Sequence, residues 1–104
     1  MTIRQKEKIM QIKGIAVNGR TYKAFEGEIA PDSSLVFIMG EKGFIMCGYL
    51  NMETAEKKGN IAAVATGVKT VDDMLETKIA AVSSAARKIG ILEGMPVKKA
   101  LEKL

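Results

Sequence analysis

The dipeptide Asn18-Gly19 limits the folding of this chain most, because it lies between two segments of strand-like composition. Both residue types tolerate the positive φ angles that a two-residue type I′ turn requires. Residues 15–17 precede the dipeptide, and residues 20–25 follow it with alternating side-chain character. The pattern predicts a β-hairpin near the N-terminus, preceded by strand-like alternation in residues 9–13.

A second hairpin is predicted from two nearly unbroken apolar runs, residues 35–39 and 44–47, which flank the glycine-bounded segment 40–43. Each run is too short for a buried helix but has the length of a strand covered on both faces. Residues 31–34, Pro-Asp-Ser-Ser, have the composition of a turn before the first run.

A strand–helix–strand unit is predicted next. Asn51 can cap a short helix over residues 52–58, and Gly59 can end that helix with a positive φ angle. Residues 61–65 form a further apolar strand. A right-handed crossover of this kind places its two strands parallel to each other.

The C-terminal part of the chain is predicted to be mainly helical. Thr70 can cap a helix, and apolar side chains recur at helical spacing from Val71 to Ile89, which indicates one long helix ended by Gly90. Pro96 indicates the first turn of a last helix. The prediction is one α+β domain, residues 1–104. It has a small mixed sheet of four or five strands (the first ones antiparallel hairpins), a short crossover helix and two C-terminal helices packed on the sheet.

Composition excludes several kinds of chemistry. The chain has no histidine and one cysteine, Cys47, so it offers neither the usual Cys/His zinc site nor a Ser-His-Asp or Cys-His mechanism of its own. We therefore predict no metal, no cofactor and no catalytic residue. An unpaired cysteine fits a reducing, cytoplasmic setting. Without a signal-peptide pattern or a membrane-length apolar run, no membrane partner is expected.

Charge and length bear on the partners. Sixteen basic and twelve acidic residues give a net charge of +4, but acids are interspersed among the bases and aromatic residues are few. These features disfavour nucleic acid as a partner. A chain of 104 residues has a modest core, so we expect a homo-oligomer, by default a dimer.

Two short segments at strand ends are the candidate ligand site. Tyr49 and Asn51 follow the strand at residues 44–47, and Gly67, Lys69 and Thr70 follow the strand at residues 61–65. If these strands are parallel neighbours, both segments meet at one sheet edge, where ligands often bind. The ordinary alternative is that Asn51 only caps a helix and Gly67 only makes a turn.

The kind of ligand is limited by the residues around Lys69. Gly67-Val68-Lys69-Thr70 lacks the five-residue loop between glycines that a phosphate-binding P-loop needs. Asp72 and Asp73 would repel a full phosphate, so a small polar or weakly anionic molecule is expected.

Several short motifs of the second half resemble those of one family. They are Cys47-Gly48-Tyr49-Leu50-Asn51, Thr54-Ala55-Glu56-Lys57, Ala62-Ala63-Val64 and Gly67-Val68-Lys69-Thr70. Over about residues 35–101 the chain resembles the YunC-like family of small bacterial and archaeal domains of unknown function, although Asn60 stands where an aspartate is expected. The resemblance implies a compact cytoplasmic α+β domain and implies no activity.

The sequence favours a non-catalytic domain that binds a small ligand or another protein. One alternative is an enzyme that uses Cys47, Lys69 or Asp73 in a site completed across a subunit interface. Since the neighbours of Cys47 offer no base and its strand is apolar, a buried and slowly reacting thiol is the favoured prediction. The second alternative is a nucleic-acid accessory protein that uses the basic chain ends.

Overall fold

One mixed β-sheet organises residues 10–104, which the computed structural model describes. Its six strands are β1 (Met10–Val17), β2 (Arg20–Ala30), β3 (Ser33–Met39), β4 (Gly43–Met46), β5 (Ile61–Val64) and β6 (Ala81–Val82). They lie in the sheet in the order in which they follow one another along the chain. All neighbouring pairs are antiparallel except β4 and β5, which are parallel. The α+β class is confirmed, and the sheet has more strands than the four or five predicted.

The predicted hairpins are present. Asn18 and Gly19 have φ angles of 53° and 80°, as a type I′ turn requires, and join Val17 directly to its partner Arg20. A tight turn that includes Asp32, at φ 59°, joins β2 to β3. The pairing of β3 with β4 confirms the second predicted hairpin. The strand-like alternation is predicted to begin at residue 9, and residue 9 itself lies outside the described part of the chain.

The crossover helix and the parallel pairing of its two strands are present as predicted. Helix α1 (Met52–Lys57) begins at Asn51, whose Oδ1 accepts hydrogen bonds from the backbone N–H groups of Glu53 (2.7 Å) and Thr54 (3.2 Å). Gly59 has a φ angle of 73° just after the helix. Strand β5 then runs parallel to β4, with Gly43 opposite Ile61 and Met46 opposite Val64.

The prediction of a single long helix from Val71 to Ile89 is wrong. Two short helices, α2 (Val71–Leu75) and α3 (Ser84–Lys88), stand on either side of an extended segment that contains β6. In that segment the N–H of Ala80 donates to the Val64 carbonyl (2.7 Å) and the N–H of Ser83 donates to the Ala62 carbonyl (2.9 Å). These bonds satisfy the open edge of β5, and helical spacing of apolar residues does not reveal such distant partners.

Helices α2, α3 and α4 (Val97–Leu101) contribute to the main core, which lies on the side of the sheet that we call the packed face. Three helices rather than two therefore follow the crossover strand. Strand residues of this core include Tyr22, Ala24, Val36, Ile38, Ile45 and Ala63, and Cys47 joins them just after β4. The opposite side, the open face, carries a smaller cluster in which Ala55 of α1 packs with Met46, Ala62 and Val64. The sheet is thus covered unequally on its two sides.

Gly43 is required where β4 meets β5. A Cβ atom at this position would overlap the carbonyl oxygen of Ile61, and a backbone oxygen cannot rotate away. We expect Gly43→Ala to lower the free energy of unfolding by about 2 kcal/mol in urea denaturation. Gly14→Ala is the matched control, because a Cβ there meets nothing closer than 4.0 Å. Both variants are compared at the same low protein concentration, so that self-association does not contribute. Equal effects of the two substitutions would contradict this account.

Glu56 links α1 to the start of α3 and makes stability depend on pH. Hydrogen bonds from the Ser84 side chain and backbone lower the pKa of Glu56 below its ordinary value of 4.5. A lowered carboxyl pKa stabilises the fold above the unfolded-state pKa, and this contribution is lost as the pH falls through the folded-state pKa. Glu56→Gln should therefore reduce stability at neutral pH, and its effect should shrink as the pH falls below 4.5 and disappear below the lowered folded-state pKa. Denaturation at several pH values, repeated in a Ser84→Ala background where the effect should shrink, tests this.

Candidate functional site

Three chain segments meet at the edge of the sheet where β4 and β5 end. The parallel pairing brings the segments after Met46 and Val64 to the same edge. Strand β3 begins at this edge because it runs antiparallel to β4, and the Cys47 N–H continues the pairing by donating to the Val36 carbonyl at 3.0 Å. The topology therefore places the turn before β3 beside the two strand ends.

A cleft of about 330 Å³ lies between these segments. Its lining is formed by Asp32, Ser33, Ser34, Cys47, Gly48, Tyr49, Gly67, Val68 and Lys69. Asp32, Tyr49 and Lys69 are exposed, whereas Cys47 and Val68 are buried. The cleft thus has an apolar floor and polar walls.

Cys47 lies at the floor of the cleft. The side chain is 3% exposed, as predicted for a buried thiol, and its Sγ accepts a hydrogen bond from the Val36 N–H at 3.4 Å. The thiol in turn faces the Ser34 carbonyl at 4.0 Å. Within residues 10–104 it has no acidic or basic hydrogen-bond partner. Its neighbours thus hold it as part of the core.

The segment that carries Lys69 is fixed by side-chain hydrogen bonds. Asp73 Oδ2 accepts from the Lys69 N–H at 3.1 Å, and Thr70 Oγ1 accepts from the Asp73 N–H at 3.0 Å. Gly67 has a φ angle of 73°, which a glycine adopts without strain. In the described part of the chain the Lys69 ammonium forms no ion pair. Its charge is therefore available at the cleft.

Four backbone donors on the cleft are unpaired. Among the described residues, the N–H groups of Gly48, Tyr49, Gly67 and Val68 donate no hydrogen bond to a protein acceptor. Gly48, Tyr49 and Gly67 are exposed, so their N–H groups can bond water, and all four residues lie in the two segments that flank the cleft. Among the described residues, the cleft therefore combines unpaired amide donors with the Lys69 ammonium.

The structure brings together most of the predicted site residues and leaves out three. Tyr49, Gly67 and Lys69 line the cleft, as does Cys47. Asn51 lines a separate groove beside α1, with Phe44, Met46 and Leu50 among its neighbours, and its Oδ1 is used by the helix cap. Thr70 and Asp73 do not line the cleft, and they are engaged in capping α2.

The prediction missed Asp32, Ser33 and Ser34, which form one wall of the cleft. The signal was present in the sequence: the hairpin of residues 35–47 had been predicted, and an antiparallel hairpin puts its first residue beside its last. The turn composition of residues 31–34 could therefore have been assigned to the same sheet edge.

Comparison with known proteins agrees with the resemblance found in the sequence. The family model of the domain of unknown function DUF1805 matches residues 46–104. The uncharacterized protein YunC of Bacillus subtilis (strain 168) is 29% identical over 100 residues, covering 92% of this chain and 98% of YunC. A crystal structure of a protein of unknown function from Thermoplasma acidophilum matches with a TM-score of 0.86 and 45% identity, covering 92% and 93% of the two chains.

None of the helices formed by residues 10–104 is long and apolar enough to cross a membrane.

The environment of Cys47 predicts slow thiol chemistry. Because the side chain is almost fully buried and hydrogen-bonded to the Val36 N–H, a disulfide reagent such as Ellman's reagent should react much more slowly with the native protein than with the denatured protein at the same pH. The time course of thiol release measures the ratio. Stoichiometric reaction of the native protein within seconds would contradict a buried, unactivated thiol.

Proposed function

The chain belongs to the DUF1805 family of domains of unknown function, and we propose that it is a non-catalytic binding domain whose cleft takes a small polar molecule bearing a carboxylate or similar weakly anionic group. The observation that carries this proposal is that one cleft of about 330 Å³ combines four backbone N–H groups and the Lys69 ammonium, none of which has a protein partner within residues 10–104. Pockets of this volume suit small molecules.

The chemistry of the lining favours a singly charged acceptor. A carboxylate accepts hydrogen bonds from backbone N–H groups and from an ammonium, and such charge-assisted bonds are short and strong. Asp32 lies on the same cleft, and Asp73 accepts from the Lys69 N–H. These two carboxylates oppose a phosphate, which carries more negative charge than a carboxylate at neutral pH. The Asp32 and Ser33 side chains can accept hydrogen bonds from a donor group of the ligand.

The lining offers little support for catalysis. Cys47, the one nucleophile considered from the sequence, is buried and has no base among its hydrogen-bond partners in residues 10–104. Asp73, the acid considered with it, accepts a hydrogen bond from the Lys69 N–H and does not line the cleft. A general base must lie within hydrogen-bond reach of the proton that it removes. We therefore propose binding without turnover.

The test is a titration of ¹⁵N-labelled protein with acetate, glycine and inorganic phosphate, followed by amide chemical shifts. We expect the largest changes at Gly48, Tyr49, Gly67 and Val68, with the carboxylate probes binding more tightly than phosphate. Lys69→Ala should weaken carboxylate binding by about tenfold, the effect of losing one charged hydrogen bond.

Lys58→Ala is the control for a general loss of positive charge, because Lys58 is an exposed lysine that does not line the cleft. It should leave the affinity unchanged. Equal weakening by both substitutions, shift changes away from the cleft, or tightest binding of phosphate would each contradict the proposal. Chemical conversion of a bound probe would contradict its non-catalytic part.

A further inference from the structure

A row of apolar side chains crosses the open face of the sheet. The strand registers place Ile12 opposite Phe25, Phe25 opposite Phe37, and Phe37 opposite Met46. Directly paired residues point to the same side of a sheet, so these side chains form one continuous row. The Phe25 and Phe37 rings are stacked with their centroids 5.3 Å apart. Helix α1 packs on the Met46 end of this row, over β4 and β5.

The part of the open face over β1, β2 and β3 is exposed to solvent in the single chain. Ile12 is 80% exposed and Met39 is 41% exposed, which is unusual for large apolar side chains in a sheet. Among residues 10–104, no helix packs on this part of the face: α1 lies over β4 and β5, and the other helices contribute to the packed-face core. This surface differs from the cleft, whose floor belongs to the packed face.

The shape and charge of this surface favour contact with another copy of itself. The register places Gly14 and Lys23 beside Met39 in the row on one side of the aromatic ridge. Gly14 is exposed, so the ridge is flanked on that side by a position that has no side chain. Lys23 is the one charged residue in this row. A ridge beside an exposed glycine position can fit the same ridge of a second copy after a twofold rotation.

The size of the surface agrees with a weak to moderate dimer. Strand β1 has 8 residues, so three neighbouring strands of its length form a face of about 26 by 14 Å. The accessible area of such a face is on the order of several hundred Å², which is at the upper end of the apolar patches that monomers expose. This is roughly half of the 800 Å² or so that each partner buries in a standard interface, which fits a dimer weaker than a standard complex.

We propose that the open face of β1–β3, centred on Ile12, Phe25, Phe37 and Met39, is the interface of a twofold homodimer. The occupant is a second copy of this chain, packed face to face with the ridge of one copy beside the ridge of the other. A peptide that binds as an extra strand is not the occupant that this surface fits. Such a peptide would pair with the backbone edge of β1, whereas the apolar surface lies on the face of the sheet and extends to β3. The sequence leads us to expect a dimer, and this proposal assigns the surface through which the dimer forms.

The test compares two aspartate substitutions of exposed apolar residues by sedimentation velocity over a range of micromolar concentrations. The unaltered protein should have twice the chain mass of 11.2 kDa. Ile12→Asp should shift the protein to monomer and raise the dissociation constant by about 30-fold or more, as for a central interface residue. Leu92→Asp is the matched control, since Leu92 is 47% exposed and lies outside the sheet. It should leave the dimer intact.

Met39→Lys gives an independent test on a different strand of the same face, and it should also produce monomer. Because Ile12 and Met39 are exposed in the single chain, both variants should keep the far-ultraviolet circular dichroism of the unaltered protein. High salt should not dissociate the dimer, since apolar contacts are not screened. A monomer at the highest concentration, a dimer that survives both face substitutions, or a dimer lost with Leu92→Asp would overturn the assignment.

Discussion

Gly43 and Ile61 begin the parallel pairing of β4 and β5 at a separation that leaves no room for a side chain on the glycine. A parallel pair needs a crossover connection, and α1 provides it on the open face. The helices after β5 then contribute to the packed face, where the main core forms. Parallel pairing also brings the carboxyl ends of β4 and β5 to one edge of the sheet. The polar segments that follow the two strands therefore meet at this edge. Both the cleft and the unequal covering of the sheet follow from this one contact.

Local chemistry made much of this fold predictable from the sequence. Asn18-Gly19 supplied the positive φ angles of the first turn, and Asn51 and Thr70 supplied helix caps whose hydrogen bonds involve residues no more than three positions away. The prediction of one helix through residues 71–89 was wrong because β6 depends on partners in β5 that lie 17 and 19 residues earlier. Ile79 and Val82 fit a helical stripe, and the same two residues pack against the core from an extended segment.

The candidate site was predicted in part for a related reason. Tyr49, Gly67 and Lys69 were found because a strand–helix–strand unit fixes where its two strands end. Asn51 was included in the predicted site because it follows the same strand as Tyr49. Asn51 caps the crossover helix, however, so its position is set by that helix and lies away from the cleft. Asp32, Ser33 and Ser34 depend on the β3–β4 register, which spacing alone leaves open by a residue or two. Sequence patterns therefore locate strand ends better than they locate the side chains around them.

Strand β3 contributes to both the cleft and the open face. Its side chains alternate between the two sides of the sheet, so the two surfaces stay separate. Val36 and Ile38 pack into the main core, and the Val36 N–H binds Cys47 at the cleft floor. Phe37 and Met39 point to the opposite side, onto the open face. A substitution on one face thus contacts no residue of the other directly, and effects at such separate sites are usually additive. A dimer formed through the open face would leave each cleft accessible, because the cleft floor lies on the packed side of the same sheet. Ligand binding and self-association are therefore physically compatible in this fold, and neither surface requires the other.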